Sequence, residues 1–335
     1  MSEHTDRLNY SNTAVAIAGA GRMGRSIAVA FCLAGIKSTL IDLKPRSVTD
    51  RLDFRQQALS EVRTTLVTLA TLGMIAPEDI DSHTELLSYS DSEDAATAFS
   101  GCHMVFEGVP ETLEAKAAAL TTICQHCPVD ALIASTTSTI LSDDLQALVT
   151  HPERFLNAHW LNPAYLVPLV ELSPASKTAP ETTASLKRLL EAMGKVPIVC
   201  KASPGYVVPR MQMLAMNEAA RMVEEGVASV EDIDKASKYG FGFRFAILGM
   251  LEFIDWGGGD ILYHAGNYMT EATGEERYVA PEIINENMKN NRIGLRTGQG
   301  FLDYANMDIP SYKQQKLAEF VAMLNHLDVM PKKAT

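Results

Sequence analysis

The sequence has no long hydrophobic run, no cluster of basic residues and few cysteines. No apolar stretch approaches the roughly 20 residues that a membrane-spanning helix needs, and the first segment, MSEHTDRLNYSN, lacks the apolar centre of a signal peptide. The five cysteines are odd in number, and Cys124 and Cys127 form a CxxC pair without a second such pair, so we interpret them as structural thiols and expect no metal. These absences predict a protein of the reducing cytoplasm with no membrane partner.

The charge balance excludes another class of partner. The chain has a net charge of −12 and no basic run, whereas nucleic acid binding needs clustered lysine and arginine to neutralise phosphates. Its 335 residues, of which 47% are hydrophobic and 21% charged, suffice for two ordered domains with a sizeable core. We therefore expect a globular protein with a small-molecule substrate and no nucleic acid partner.

The most informative segment is TAVAIAGAGRMGRSIAVAFCLAGIKSTLID, residues 13–42. A short apolar run predicts a buried strand, Gly19-x-Gly21-x-x-Gly24 opens a helical pattern, and a second predicted strand ends at Asp42. In this context Gly19 permits a tight turn, Gly21 lets a pyrophosphate approach the backbone, and Gly24 lets the helix pack on the strand. Asp42 would accept hydrogen bonds from the ribose of NAD and repel the additional phosphate of NADP. The residues that we expect to contact NAD are Gly19, Gly21, Arg22, Met23, Gly24 and Asp42.

Short apolar runs alternate with helical periodicity as far as about residue 200. The alternation predicts an α/β fold, a Rossmann-type doubly wound sheet with its ligands at the carboxyl ends of the strands. Beyond Ala202-Ser-Pro-Gly205 the strand signals stop. We expect an NAD-binding domain over residues 1–200 and an all-helical domain over residues 201–335, which takes part in substrate binding and forms a homodimer. The predicted strands are residues 14–18, 38–41, 86–88, 103–107, 132–135, 155–160, 169–172 and 196–200.

The segment HWLNPAYLVPLVE contains a pair of residues suited to proton transfer. It places His159 and Glu171 on two predicted neighbouring strands, and a histidine titrates near neutrality, as a base for a hydroxyl proton must. A carboxylate on one imidazole nitrogen would fix the tautomer and stabilise the imidazolium. Ser138 follows another predicted strand, at the edge where a substrate is expected. A structural histidine is the alternative reading of this pattern.

Several segments together resemble the L-3-hydroxyacyl-CoA dehydrogenase family over nearly the whole chain. They are the glycine loop, FEGVPETLEAK, ASTTS, HWLNP…LVEL, SPGYVVPRM…NEA, EEGVASVEDID and IGLRTGQGFLDY. The resemblance implies an NAD-binding domain, a helical domain that dimerises, and a catalytic pair formed by His159 as general base and Glu171 as its partner. It also implies that Ser138 binds the substrate oxygen and that Glu111 and Lys116 lie near the nicotinamide ribose.

The chain departs from the family at two places. The family's S-N-T-S appears as STTS, with Thr136 at the position of the amide. The family's asparagine after the P-G-F segment, which helps to position the substrate, is replaced by Pro209, which offers no donor from its side chain or backbone. This departure affects the substrate geometry that the resemblance implies and leaves the implied hydride chemistry unchanged.

The substrate is the open question. NPAYLVPLVELSPASKTAPETT and GFGFRF resemble the subgroup that acts on free hydroxy acids, such as L-gulonate and carnitine dehydrogenases. On this basis Asn162 is assigned to the substrate site, and Arg244 is the candidate for binding a carboxylate. CoA-ester enzymes have basic contacts along the helix that follows Asp42, and here residues 50–72 contain Arg51, Arg55 and Arg63 but no lysine.

We accordingly predict an NAD-dependent oxidoreductase that acts on the 3-hydroxyl group of a small carboxylate-bearing substrate. The alternatives are a 3-hydroxyacyl-CoA, such as 3-hydroxybutyryl-CoA, and a pyridine-ring aldehyde carboxylate. A third alternative is an NAD-binding structural protein without enzymatic activity, as some lens crystallins are. Decarboxylating dehydrogenases of the 6-phosphogluconate type share the two-domain plan, but they would use a lysine as base.

Overall fold

A computed structural model describes residues 13–332 of the chain, and the polar segment at residues 1–12 lies outside that part. The chain divides into two compact units, Met1–Ala215 and Met216–Thr335, and the division falls inside one helix, Val208–Glu224. The domain boundary expected near residue 200 stays a prediction. Within the described part of the chain, no helix is both long and apolar enough to cross a membrane.

The first unit is built on one eight-stranded sheet of strand order β3-β2-β1-β4-β5-β6-β7-β8. Neighbouring strands are parallel except β6 and β7, which are antiparallel. The strand order reverses between β1 and β4, where the crevice for a dinucleotide lies in folds of this type. The expected Rossmann-type sheet is therefore confirmed. Its strands are β1 Val15–Ala18, β2 Ser38–Ile41, β3 Leu87–Ser90, β4 Met104–Glu107, β5 Leu132–Ser135, β6 Phe155–Trp160, β7 Leu169–Pro174 and β8 Val196–Val199.

Helices cover the sheet on both faces, so a strand such as β1 is apolar throughout and fully buried. On one face the rings of Phe31, Phe106 and Trp160 meet with centroid distances of 5.4–6.3 Å. Each ring is fully buried and contributes about 2–3 kcal/mol by its removal from water. The helices of this unit are α1 Arg22–Leu33, α2 Val48–Thr71, α3 Ile80–Thr84, α4 Ala95–Phe99, α5 Leu113–His126, α6 Ser142–Gln146, α7 Pro180–Ala192 and the first part of α8 Val208–Glu224, with short 3₁₀ turns at Pro77–Asp79 and Pro152–Arg154.

The regular elements of the second unit, in its described part, are helices, which confirms the expected helical domain. The segment IGLRTGQGFLDY folds around Asp255, whose carboxylate is buried and accepts hydrogen bonds from the amides of Phe301 and Leu302 and from the hydroxyl of Tyr304. After α8 the helices are α9 Val230–Lys235, a π-helical turn Ala236–Gly242, α10 Phe243–Phe245, α11 Met250–Gly257, α12 Gly259–Thr273, a 3₁₀ turn Glu276–Tyr278, α13 Glu282–Lys289 and α14 Ile309–His326.

Candidate active site

The glycine loop lies at the point where the strand order reverses. Gly19 has a φ of 116°, and a Cβ there would lie 2.7 Å from the carbonyl oxygen of Gly108, which follows β4. A Cβ on Gly24 would collide with the carbonyl oxygen of Gly19. At Gly21, by contrast, an added Cβ would meet no heavy atom within 4 Å. Two of the glycines are therefore required by backbone packing, and the third leaves open space.

That open space suits a pyrophosphate. Gly21 is the N-cap of α1 and makes no side-chain capping bond, so the amides of the first turn, at Arg22 and Met23, point toward the space beside it. Free amides at a helix N-terminus and a backbone without a Cβ are the two features that a dinucleotide phosphate needs. The residues present therefore fit NAD.

Asp42 follows β2 and is 5% exposed. Its Oδ2 accepts a hydrogen bond of 2.5 Å from Nε of Arg46, and the Arg46 guanidinium lies 3.8 Å from the centroid of the Phe54 ring. The guanidinium is thus held between a carboxylate and an aromatic face. The motif predicts the aspartate, but this arginine clamp is found only in the structure.

Lys116 is fully buried on α5 between two carboxylates. Its Nζ lies 3.1 Å from Oε1 of Glu107 and 3.4 Å from Oε2 of Glu111. Glu107 is also fully buried and accepts a hydrogen bond of 2.5 Å from the hydroxyl of Ser135. A buried lysine is tolerated when it is paired in this way. Lys116 therefore forms part of a charged network at the ends of β4 and β5.

Glu111 organises the loop that contains Ser138. Its Oε1 accepts hydrogen bonds from the hydroxyl of Thr137 at 2.5 Å, the amide of Ser138 at 2.8 Å, and the amide of Thr139 at 3.0 Å. Burial by itself would raise the pKa of Glu111, but the Thr137 hydroxyl and the Lys116 ammonium outweigh it and lower the pKa to about 2. The Ser138 side chain is partly exposed, with its Oγ 3.4 Å from the same Oε1.

His159 and Glu171 lie directly opposite each other on β6 and β7. Nδ1 of His159 is 2.7 Å from Oε2 of Glu171, while Oε1 of Glu171 accepts hydrogen bonds from the amides of Val207 at 3.0 Å and Val208 at 2.8 Å. Glu171 is fully buried, which would raise its pKa, but the hydrogen bonds from His159 and from the two amides lower the pKa below its ordinary value. Glu171 therefore stays ionised and accepts from Nδ1.

Tyr206 connects the histidine with the Ser138 loop. Its ring stacks on the His159 imidazole at 5.5 Å between centroids and 19° between planes. Its hydroxyl donates to the carbonyl of Thr137 at 3.2 Å and accepts a hydrogen bond of 2.9 Å from the Asn157 amide. Tyr206 has a positive φ of 45°, unusual for a residue with a side chain, which turns the chain so that Val207 and Val208 can reach Glu171. The sequence motif SPGYVVP contains these residues, but no pattern in it predicts their contacts.

The remaining predicted substrate residues have their own local contacts. Asn162 is exposed in the loop after β6, and that loop is tied to α1 by a hydrogen bond of 2.7 Å from the Ala164 amide to the Ser26 hydroxyl. Pro209 is the second residue of α8, where a missing amide costs little. Arg244 belongs to the second unit, where its Nε donates to the Gly240 carbonyl at 2.8 Å.

The first unit thus has the glycine loop, the Glu111 and Ser138 loop and His159 at the carboxyl ends of its parallel strands, with Glu171 opposite His159 on the antiparallel β7. Sequence reasoning missed Tyr206, the amides of Val207 and Val208, and Glu107 as the partner of Lys116. A dinucleotide cradle beside a buried histidine–carboxylate pair defines the class of protein, an NAD-dependent dehydrogenase.

Comparison with known proteins agrees with this class and narrows it. Residues 14–203 match the family model described as 3-hydroxyacyl-CoA dehydrogenase, NAD binding domain, and residues 205–304 match that of the C-terminal domain. The chain belongs to the 3-hydroxyacyl-CoA dehydrogenase family. It is an oxidoreductase that uses NAD.

Individual relatives have different functions. The chain is 29% identical over 315 residues, 94% of its length and 98% of the relative's, to a 5-formyl-3-hydroxy-2-methylpyridine 4-carboxylate 5-dehydrogenase of Mesorhizobium japonicum. It is 35% identical to a lambda-crystallin homolog of Bos taurus over 71% of this chain and 72% of that one. The crystal structure of a 3-hydroxyacyl-CoA dehydrogenase from Archaeoglobus fulgidus superposes with a TM-score of 0.74, at 28% identity, over 95% of this chain and all of that one.

Proposed function

We propose that the protein oxidises the 3-hydroxyl group of a small carboxylate-bearing substrate, with His159 as general base and Glu171 as its partner. The observation that carries the proposal is the buried His159–Glu171 pair, joined at 2.7 Å at the sheet edge where the glycine loop lies. NAD, when bound, accepts the hydride that leaves the substrate carbon.

The protonation state of the pair follows from its contacts. Because the pKa of Glu171 is lowered, its Oε2 is an acceptor, and the Nδ1 atom of His159 must carry the proton that lies between them. Nε2 then has a free lone pair, which takes the proton of the substrate hydroxyl. The Glu171 carboxylate stabilises the imidazolium that results, and the amides of Val207 and Val208 prevent that carboxylate from turning away.

Ser138 is proposed to bind the substrate oxygen. Its backbone is held by Glu111, and Tyr206 links the preceding residue, Thr137, to the ring of His159. The hydroxyl donor and the base are therefore positioned by one set of contacts, made of hydrogen bonds and the stack of Tyr206 on His159. A substrate oxygen bonded to both Ser138 and His159 would be oriented for loss of its proton and hydride.

A free acid is proposed over a CoA ester because two of the three α2 arginines named above are paired with carboxylates, while Arg55 lies 5.9 Å from the centroid of the Tyr89 ring. Arg51 pairs with Asp91 and Glu93, and Arg63 pairs with Asp81 at 2.6 Å. Arginines that are already neutralised by carboxylates attract the phosphates of CoA less strongly.

Two alternatives stay open for the substrate. CoA-ester oxidation is supported by the description of the family, and oxidation of a ring aldehyde carboxylate is supported by the similarity to the Mesorhizobium enzyme over nearly the full length of both chains. In the second case His159 would remove a proton from a water molecule or from the hydrated aldehyde. Arg244 stays a candidate for the carboxylate in either case.

The test is NADH formation by the purified protein with free 3-hydroxy acids, their CoA esters and pyridine-ring aldehyde carboxylates. We expect the highest kcat/KM with a free hydroxy acid, and we expect His159→Ala to lower it on the order of 10³-fold while NAD binding is retained. His151→Ala is the matched control, because His151 also pairs with a glutamate, at 3.3 Å to Glu153, but on the surface. A higher kcat/KM with the CoA esters, or full activity of His159→Ala, would refute the proposal.

We further propose that the protein is a homodimer of the cytoplasm. Large apolar side chains of α8 are exposed, among them Met213, Leu214 and Met216 at 62–68%. Burial of such a face in a second copy would remove it from water. Sedimentation of a single 36.5 kDa species would contradict the dimer.

A further inference from the structure

Two fully buried ionisable side chains, Glu107 and Lys116, have no part in the proton transfer proposed above. Oε1 of Glu107, at the end of β4, accepts hydrogen bonds from the Val109 amide at 2.9 Å and from Nζ of Lys116 at 3.1 Å. Oε2 accepts one from the Ser135 hydroxyl at 2.5 Å. Both oxygens of Glu107 are therefore acceptors, and its carboxyl group is ionised.

The charges around Lys116 do not cancel. Its Nζ also lies 3.4 Å from Oε2 of Glu111. Burial raises the pKa of Glu111, but the hydrogen bond from the Thr137 hydroxyl and the charge of Lys116 outweigh it and lower the pKa to about 2, so this carboxyl group is ionised as well. Two carboxylates thus share one ammonium, which leaves one negative charge in excess. We call Glu107, Glu111 and Lys116 the β4 charge cluster.

The order of the strands places this cluster between the glycine loop and the base. β1 ends at the glycine loop, β6 carries His159, and β4 and β5 lie between them in the sheet. Three strand spacings of about 4.8 Å separate β1 from β6 by about 14 Å. The phosphates of NAD fit the space at Gly21, and hydride transfer needs the nicotinamide beside a substrate at His159. The nicotinamide half of the cofactor therefore has to cross the ends of β4 and β5, where Glu107 lies.

We infer that the excess negative charge of the β4 charge cluster favours binding of oxidised NAD over NADH, and that Glu107 is a specificity-determining residue for this choice. The nicotinamide ring carries a positive charge in NAD and none in NADH, so a fixed negative charge stabilises only the oxidised form. Because Glu107 and Lys116 are fully buried, water screens their charges little. The inference rests on the proposed function, since the position of His159 sets the direction in which the nicotinamide half extends.

The experiment measures the dissociation constant of NADH by its fluorescence and that of NAD by displacement of NADH, without substrate. Glu107→Gln keeps the shape of the side chain and removes the excess charge. The ratio of the Kd for NAD to the Kd for NADH should therefore rise about tenfold, the effect of one unit charge across about 12 Å at an effective dielectric constant of about 20. Glu111→Gln removes the same charge from a side chain that is 36% exposed and should raise the ratio too, so it replaces Glu107→Gln if that variant does not fold.

A double variant separates charge from structure. Glu107→Gln with Lys116→Met removes one charge of each sign, and the remaining Glu111 carboxylate restores one net negative charge. The ratio should return to within about threefold of the wild-type value, although more contacts have been lost than in Glu107→Gln alone. Glu153→Gln is the matched control, because Glu153 precedes β6 at the opposite edge of the sheet and its side chain is 51% exposed. The ratio should not change in that variant.

Two outcomes would overturn the inference and leave the proposed function intact. An equal loss of affinity for NAD and NADH in Glu107→Gln would show that Glu107 only holds its neighbours in place. A ratio that stays raised in the double variant would show that the net charge does not set it. Full turnover by His159→Ala, by contrast, would refute the proposed function, whatever the two dissociation constants show.

Discussion

The most discriminating perturbation of the proposed mechanism is Glu171→Gln, which preserves the shape of the side chain and removes its charge. Oε1 of Glu171 accepts hydrogen bonds from the amides of Val207 and Val208, so the glutamine must place its carbonyl oxygen at this position. Its NH₂ group then faces Nδ1 of His159, at the position that Oε2 now occupies at 2.7 Å. Nδ1 must accept this hydrogen bond, and the proton of the neutral imidazole moves to Nε2.

The variant therefore has the wrong tautomer for a base, since the nitrogen that should take the substrate proton already carries one. Loss of the charge-assisted hydrogen bond to the imidazolium contributes about 1.5–3 kcal/mol, or about one to two powers of ten in rate. The change of tautomer adds to this, and the corresponding aspartate-to-asparagine exchange in a serine protease triad costs about 10⁴ in kcat. We expect kcat of Glu171→Gln to fall on the order of 10³–10⁴-fold.

The assay is steady-state NADH formation with the best substrate of the panel, together with NAD binding followed by fluorescence and thermal unfolding of each variant. Glu153→Gln is the matched control, because Glu153 also pairs with a histidine, at 3.3 Å, but is about half exposed. That variant should retain wild-type kcat. A Glu171→Gln protein that binds NAD and loses less than about tenfold in kcat would show that the carboxylate sets neither the tautomer nor the charge of the base.

Two further predictions concern the cofactor clamp and the stacked tyrosine. Asp42→Ala should release the Arg46 guanidinium, which can then bind the additional phosphate of NADP, and the ratio of kcat/KM with NADP to kcat/KM with NAD should rise by about 100-fold. An unchanged ratio would show that Asp42 does not set the preference for NAD. Tyr206→Phe should keep the stack on His159 but lose the hydrogen bond to Thr137, and kcat should fall about tenfold at unchanged KM for NAD. Equal kcat in Tyr206→Phe and the wild-type protein would show that the hydrogen bond from the Tyr206 hydroxyl to Thr137 does not contribute to catalysis.

Local patterns were sufficient for the architecture. A buried parallel strand is apolar along most of its length, so central strands such as β1 and β5 were visible as short apolar runs. The observed β1, from Val15 to Ala18, lies within the predicted residues 14–18. The glycine spacing was equally informative, because the structure leaves no room for a Cβ at Gly19 or Gly24. The antiparallel direction of β7 was not predicted, since strand direction leaves no trace in composition.

The site was predictable in part. His159 and Glu171 were candidates from their places on predicted neighbouring strands and from the family resemblance, and the structure places them opposite each other. Lys116 shows the limit of such reasoning, because by itself its pattern was compatible with a solvated helix face, whereas it is fully buried between two carboxylates. The spacing of charged residues along a chain does not show which of them face one another after folding.

By itself, the sequence determined the cofactor fold and the candidate pair, because both depend on residues close together in the chain or on a repeating pattern of apolar positions. The tertiary structure decided what surrounds them. The hydrogen bonds of Val207 and Val208 to Glu171 and the stacking of Tyr206 on His159 join residues tens of positions apart. The ion pair of Arg25 with Glu61, at 3.1 Å, likewise forms only when α1 and α2 pack together. Such contacts depend on the packed positions of distant segments, and no local pattern encodes them.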